Sequence, residues 1–232
     1  MKYLIIIMPL IGTIIGTLSV YFINNNKNLV KKAFGFSAGV MLVASFLSLI
    51  NPSIEMSNSW FPPIFGILFG IFMILSLDLK INKNNNSNLI IIIAIILHNI
   101  PEGIATGVGL AGSITNIMSL KSAFTLSLAI TLHNIPEGMI VGLLNNKHNS
   151  LKYGIISGIV EPLFALITSI ITIKINNLLP YLFSFAGGAM IYVIVDELVP
   201  EAKEKNSKIG VISFTIGFII MLLLELILKN LI

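Results

Sequence analysis

The sequence contains no cysteine and no arginine, and only 10% of its residues are charged. Without cysteine, the chain can form neither disulfide bonds nor thiolate metal sites. A soluble domain typically carries about 25% charged residues, whereas 56% of this chain is hydrophobic. A soluble fold of this length with so few charges could not cover its own surface. The composition therefore predicts an all-α integral membrane protein that is solvated by the lipid bilayer.

Eight stretches of the sequence reach the roughly 20 mostly apolar residues that a transmembrane helix needs. The short segments between them leave no room for a second domain, so residues 1–232 are expected to form one transmembrane domain. The first stretch lacks a small-residue cleavage pattern and is expected to be a retained helix, not a signal peptide. The predicted spans are approximately 3–23, 33–50, 60–79, 89–112, 122–144, 151–173, 180–200 and 209–228.

The lysines predict the orientation of the chain in the membrane. Ten of the 14 lysines lie between spans 1 and 2, 3 and 4, 5 and 6, or 7 and 8, counting Lys152 at the start of span 6. Because cytoplasmic loops carry the excess of basic residues, these segments are expected inside the cell and both termini outside. The lysines occur singly or in pairs between apolar segments, a pattern that argues against a nucleic-acid-binding surface.

A weak internal repeat relates the second and seventh spans. Residues 34–41 read Phe-Gly-Phe-Ser-Ala-Gly-Val-Met, and residues 183–190 read Phe-Ser-Phe-Ala-Gly-Gly-Ala-Met. The two spans run in opposite directions, as expected for the inverted repeats of many secondary transporters. Runs of small residues also recur in packed membrane helices for steric reasons. The pattern favours an inverted-repeat helix bundle and leaves simple packing as the alternative.

Ionisable side chains in the middle of a span are costly and indicate a functional site. In this chain they are Glu102, Glu137, Glu161, His98 and His133. Residues 98–103 and 133–138 both read His-Asn-Ile-Pro-Glu-Gly. Because residues three and four apart share a helix face, each copy places its histidine, asparagine and glutamate together. Helices four and five are antiparallel in this topology, so the two copies can meet at one depth.

Each of three consecutive spans also has a proline beside an acidic residue, at Pro101, Pro136 and Pro162. A proline inside a helix releases the carbonyl four residues earlier. In a membrane such carbonyls are tolerated where they are buried in protein or line a water-filled cavity. The prolines therefore indicate a polar pathway, with three packing kinks as the alternative.

The donor set predicts the chemistry of the site. Three buried carboxylates must be neutralised by protons or cations, and two divalent ions would leave one positive charge to spare. Imidazole with carboxylate suits Zn²⁺, and would also suit Fe²⁺, Mn²⁺ or Cd²⁺, whereas carboxylates alone would suit Na⁺ or protons. An intramembrane zinc protease would need a His-Glu-x-x-His helix, which is absent. We therefore expect a transporter and not an enzyme, while a binding site leaves uptake and export equally open.

The doubled hexapeptide on spans four and five, followed by Glu-Pro on span six, closely resembles the ZIP family of zinc and iron transporters. Its bacterial-type branch is the nearest match, and the resemblance covers nearly the whole chain. It implies a two-metal transport site. One metal would be bound by His98, Glu102, His133, Glu137 and the thioether of Met41. The second would be bound by Asn99, Asn134 and Glu161, with Glu102 and Glu137 as bridges.

The same resemblance implies zinc uptake into the cytoplasm by a multi-pass protein of the cell membrane. It also implies a homodimer and an elevator-like motion of the bundle of spans 1, 4, 5 and 6. Near the predicted cytoplasmic end of span seven lie Asp196, Glu197 and Glu201. These three acids are either an exit relay for the metal or an acidic helix end beside lysines.

Overall fold

The computed structural model describes residues 2–22, 27–81, 87–144, 147–174, 176–203 and 208–230. Side chains are described in these ranges except at residues 2, 27, 80–81, 87–98, 144, 147–148, 176 and 228–230. The described residues form helices and no strand. The all-α fold expected from composition is therefore confirmed for this part of the chain.

The described residues form eleven α-helices, and three segments of other helical type join or precede some of them. The α-helices are α1 (Lys2–Ser19), α2 (Lys27–Val43), α3 (Asn51–Met56), α4 (Phe61–Ile81), α5 (Ser87–Ile114), α6 (Leu120–Leu144), α7 (Lys147–Gly158), α8 (Val160–Lys174), α9 (Leu179–Val193), α10 (Val199–Lys203) and α11 (Lys208–Asn230). A π-helical segment, Ala44–Ile50, joins α2 to α3, and another, Ile194–Leu198, joins α9 to α10. A 3₁₀ turn, Asn176–Leu178, precedes α9.

Six helical stretches of the described chain are long and apolar enough to cross a membrane. They are Asn28–Met56, Phe61–Leu79, Leu120–Leu143, Asn149–Lys174, Leu179–Lys203 and Lys208–Ile227. They coincide with six of the predicted spans. The other two predicted spans coincide with α1, whose apolar part Tyr3–Ser19 is shorter, and with the 28-residue α5. Large apolar side chains are exposed along α4, α8 and α11, as suits faces in contact with lipid. The protein is therefore a multi-pass helical membrane protein.

The second span is longer than its apolar run predicts, because the helix continues through a proline. The predicted span ends at residue 50, but the helical stretch continues through Pro52 to Met56. Proline lacks the backbone N–H that an α-helix requires four residues after a carbonyl. In the π-helical segment before it, the N–H of Asn51 donates to the carbonyl of Phe46, five residues earlier. This wider turn lets the chain remain helical past the proline.

The seventh span repeats this irregularity. Residues 183–190 lie in α9, which passes into the π-helical segment Ile194–Leu198, and Pro200 follows in α10. Residues 34–41 likewise lie in α2, just before the first π-helical segment. Packing of small residues alone does not require a matching π-helical segment and proline. The shared irregularity therefore supports the internal repeat.

The helices pack in two groups. In the first group α1 packs along α6 and α5 along α8, with α7 against α1 and α6. In the second group α2 packs along α11 and α4 along α9. Contacts of α2 with α6 and of α5 with α9 join the groups. Both hexapeptides belong to helices of the first group.

Candidate metal centre

The two hexapeptides bring a histidine and two glutamates together between α5 and α6. His133 Nε2 lies 2.8 Å from Glu102 Oε1, and both side chains are 0% exposed. Together with Glu137, they offer three ligand atoms that all lie within 4.8 Å of one another. We call Glu102, His133 and Glu137 the carboxylate–imidazole cluster. Tetrahedral Zn²⁺ with ligands at about 2.1 Å separates ligand atoms by about 3.4 Å, so shifts of about 1 Å would close the cluster on an ion.

The three members of the cluster differ in exposure. Glu102 and His133 are fully buried, whereas Glu137 is half-buried. When Glu102 is ionised it can only accept hydrogen bonds, so the contact is a hydrogen bond in the tautomer of neutral His133 that carries its proton on Nε2. The other ring nitrogen, Nδ1, is then an acceptor.

Five buried polar atoms in the described part of the chain have no hydrogen-bond partner. They are Asn99 Oδ1, Glu102 Oε2, Thr106 Oγ1, His133 Nδ1 and Asn134 Oδ1. Leaving such an atom unpaired costs about 1–3 kcal/mol, so the presence of all five on α5 and α6 requires an explanation. Four of them belong to the hexapeptides and present lone pairs. Lone pairs without donors are what a bound cation requires, so the donor set fits a metal ion as cargo.

The two asparagines are oriented by their amide nitrogens. Asn134 Nδ2 lies 2.7 and 2.8 Å from the two carboxylate oxygens of Glu161 and 3.2 Å from the carbonyl oxygen of Pro9. Asn99 Nδ2 donates to the carbonyl of Ser157 at 2.7 Å. Because each nitrogen is engaged, each amide oxygen is directed elsewhere and remains without a donor. These contacts join α5 to α7, and α6 to both α1 and α8.

The glycines that end the hexapeptides permit these close contacts. A Cβ added at Gly103 would lie 2.6 Å from the carbonyl oxygen of Glu161, closer than real Cβ atoms come. A Cβ added at Gly138 would clash with the carbonyl of Thr13 in α1. The last residue of each motif therefore lets the backbone of α5 touch α8 and that of α6 touch α1. These approaches carry Glu161 and Pro9 to the site.

A proline in α1 is compensated from α6. Pro9 lies inside α1, where it leaves the carbonyl of Ile5 without its usual donor. Ser127 Oγ donates to that carbonyl at 2.6 Å. The irregular backbone of α1 is thus satisfied by the same helix that carries the second hexapeptide, which fixes α1 against α6.

The structure places the predicted ligands in different surroundings. The structure brings Glu102, His133 and Glu137 into one cluster, and it joins Asn134 to Glu161 by hydrogen bonds. Asn99 reaches Ser157 instead of another predicted ligand. Met41 is 1% exposed and packs in an apolar cluster with Ala105 and Ile130. Ala105 lies three residues after Glu102, and Ile130 lies three residues before His133. His98 lies on α5, but its side chain is outside the described residues.

The other predicted acids are less buried than Glu102 and His133, and the sequence analysis did not predict three further polar groups. Asp196 and Glu201 are exposed and Glu197 is half-buried. Sequence reasoning missed the carbonyls of Pro9 and Ser157, which have no side-chain signal. It also missed Thr106. This residue lies four positions after Glu102, so the rule that residues four apart share a helix face could have found it.

Comparisons with known proteins identify a family. The family described as ZIP Zinc transporter matches residues 78–225. Zinc transporter ZIP11 of Homo sapiens is 40% identical over 144 residues, which cover 59% of this chain and 42% of that protein. The chain thus spans less than half the length of this relative.

Bacterial relatives align over more of their length. Zinc transporter ZupT of Streptococcus mutans is 31% identical over 229 residues, with 84% of each chain covered. Zinc transporter ZIPB of Bordetella bronchiseptica is 29% identical over 218 residues, covering 82% of this chain and 69% of that protein. With the family match over residues 78–225 and the ZupT alignment over most of both chains, the protein belongs to the ZIP zinc transporter family.

Proposed function

We propose that the protein carries Zn²⁺ across a membrane and binds it at the carboxylate–imidazole cluster. The observation that supports this most directly is the close approach of Glu102, His133 and Glu137, whose ligand atoms lie within 4.8 Å of one another. Two carboxylates held this close inside a helical membrane protein repel each other unless a cation or protons neutralise them. The named relatives are zinc transporters, which favours zinc among the dications that this donor set suits.

A second ion would bind beside the first. The oxygens of Asn99 and Asn134 are buried without donors, and Glu161 is held against Asn134. With Glu102 and Glu137 as bridges, these groups form the second position, while His98 and Met41 complete the first. Two dications and three carboxylates leave one positive charge in the site, because the amide oxygens are neutral.

Zinc binding is expected to move a proton. His133 Nε2 lies 2.8 Å from Glu102 Oε1, and in the tautomer that bonds this carboxylate Nε2 carries the proton. A metal that takes this nitrogen as ligand must displace that proton, because only the deprotonated imidazole nitrogen binds a metal. Because Glu102 is itself a ligand and must also stay unprotonated, the displaced proton has to leave the cluster, and proton release would then accompany zinc binding.

In this proposal the protein has eight spans and both termini lie outside the cell. The ion moves into the cytoplasm. The lysine distribution supports the orientation, and the eight helical stretches match the eight apolar runs of the sequence. Packing in two groups suits an elevator-like motion in which the group with both hexapeptides moves against the other. The proposal also locates the protein in the cell membrane and assigns it a homodimeric state.

Uptake of radioactive zinc into proteoliposomes tests the function. Glu102→Gln with Glu137→Gln keeps the shape of the cluster but removes both charges, so uptake should fall to the rate of empty vesicles. Glu204→Gln, in the polar segment between the last two predicted spans, is the matched control and should transport as the parent does. Retention of uptake by the double variant would refute the proposed site.

The direction of transport requires a cellular measurement. Cells that express the protein should accumulate radioactive zinc above a vector control. Running Fe²⁺, Mn²⁺ and Cd²⁺ in parallel would measure the preference among ions. Depletion of cellular zinc would contradict uptake and favour export.

A further inference from the structure

Thr106 has a buried hydroxyl that nothing in the described structure uses. The residue lies one helical turn after Glu102 on α5, is 1% exposed, and its Oγ1 has no hydrogen-bond partner. Threonines in helices usually donate to the carbonyl four residues earlier. Seven other described threonines do so, namely Thr13, Thr17, Thr115, Thr125, Thr131, Thr172 and Thr215. The Thr106 hydroxyl is therefore turned away from its own helix.

The helical position of Thr106 directs it toward the metal centre. At about 100° per residue, Asn99, Glu102 and Thr106 fall within about 60° of one another around α5. The first two are the α5 residues whose buried oxygens lack partners. Thr106 lies between them on this face and extends the row of unpartnered oxygens by one turn.

The neighbours of α5 place this face inside the first helix group. On one side of it, a Cβ at Gly109 would meet Leu126 of α6 at 3.1 Å, and on the other side Gly103 packs on α8. Leu110 belongs to an apolar cluster with Ile5 and Ile6 of α1. The face that carries Thr106 is therefore enclosed by α1, α6 and α8, the helices that also surround the site.

Valine has nearly the same shape as threonine and would occupy this position without an unpaired polar atom. A buried hydroxyl without a partner therefore lowers stability for no structural gain. A neutral oxygen beside two carboxylates can replace a water of a divalent cation without adding negative charge. Hard dications accept such oxygens together with carboxylates.

We propose that the Thr106 hydroxyl is a further contact for the transported dication, one helical turn from Glu102 toward the C-terminal end of α5. The contact rests on the proposed transport function and extends the site beyond the hexapeptides. It provides a neutral oxygen for an ion that moves between the carboxylate–imidazole cluster and that end of the helix.

The test compares Thr106→Val with Thr106→Ser in thermal stability and in zinc uptake. Thr106→Val removes only the hydroxyl, so its thermal midpoint in detergent should equal or exceed that of the parent. Its kcat/KM for zinc uptake should fall about three- to tenfold, the range of one hydrogen-bond-sized contact. Thr106→Ser keeps the oxygen and should transport within about twofold of the parent. Thr172→Val, at a buried threonine whose hydroxyl donates to Thr168 at 2.7 Å, is the control and should leave uptake unchanged.

Each other outcome overturns the inference. Parent-like uptake by Thr106→Val, or equal losses in the valine and serine variants, means that the hydroxyl does not contact the ion. If the valine variant does not insert, Thr106→Ala is measured in its place, and a fall in stability that matches the fall in uptake assigns Thr106 a structural role. Glu102→Gln in the same vesicles separates the two proposals, because uptake that survives it refutes the transport site itself.

Discussion

The hydrogen bonds between Asn134 and Glu161 lead to a prediction that can be tested by a double-mutant cycle. Asn134 Nδ2 contacts both oxygens of Glu161, at 2.7 and 2.8 Å, and Glu161 is 1% exposed. Asn134→Ala would remove the only amide that the structure shows on this carboxylate among the described residues. Glu161 would then be buried without that donor, whereas Glu161→Gln keeps a polar partner for Asn134 and removes the charge.

The magnitude follows from the kind of contact that is lost. A hydrogen bond to a charged group contributes about 1.5–3 kcal/mol, and an unsatisfied buried charge costs more than an unsatisfied neutral group. Asn134→Ala should therefore lower the free energy of unfolding by about 2–4 kcal/mol in metal-free protein. The double variant Asn134→Ala/Glu161→Ala lacks the Glu161 charge. Its loss of stability should therefore be smaller than the sum of the losses in the two single variants. The coupling energy should reach about 1.5–3 kcal/mol.

Chemical unfolding of the purified protein in detergent, with chelator present, measures all four members of the cycle. Residues in contact commonly couple by 0.5–3 kcal/mol, while distant residues add within about 0.5 kcal/mol. Zinc should restore part of the stability of Asn134→Ala, because the cation would bind the Glu161 carboxylate although the Asn134 ligand is missing. A coupling below about 0.5 kcal/mol would show that the two side chains are not bonded as described, and the orientation of the Asn134 amide would have to be abandoned.

Three further predictions concern the backbone around the site and the cargo. Gly103→Ala should force α5 away from the carbonyl of Glu161, 2.6 Å from the new Cβ, and lower stability by about 1–3 kcal/mol together with uptake; unchanged thermal unfolding would contradict this packing. Ser127→Ala should leave the carbonyl of Ile5 buried without a donor and cost about 1–3 kcal/mol in chemical unfolding, and a loss under 0.5 kcal/mol would mean that water replaces the hydroxyl. Zinc at about 100 times its dissociation constant should stabilise the parent by about 2.7 kcal/mol, and calorimetry should find no such gain in Glu102→Gln.

Much of the fold and part of the site could be predicted from local patterns. The apolar runs predicted the helical stretches because a membrane helix satisfies its own backbone and depends on few contacts elsewhere. The spacing of His133 and Glu137 predicted a shared helix face because four residues complete about one turn. The end of the second span was missed, since the apolar run stops at residue 50 while the π-helical segment carries the helix through Pro52.

The sequence by itself determined that this is a helical membrane protein and which ionisable side chains lie within its spans. Composition and periodicity carry that information because they report on solvent and on a single helix. Only the tertiary structure decided that Asn99 donates to a carbonyl of α7 and that Asn134 donates to Glu161. It also decided that the Thr106 hydroxyl has no hydrogen-bond partner. These contacts depend on how closely α5 and α6 approach α1, α7 and α8. Backbone-to-backbone packing at glycine sets that distance, and no spacing along one helix encodes it.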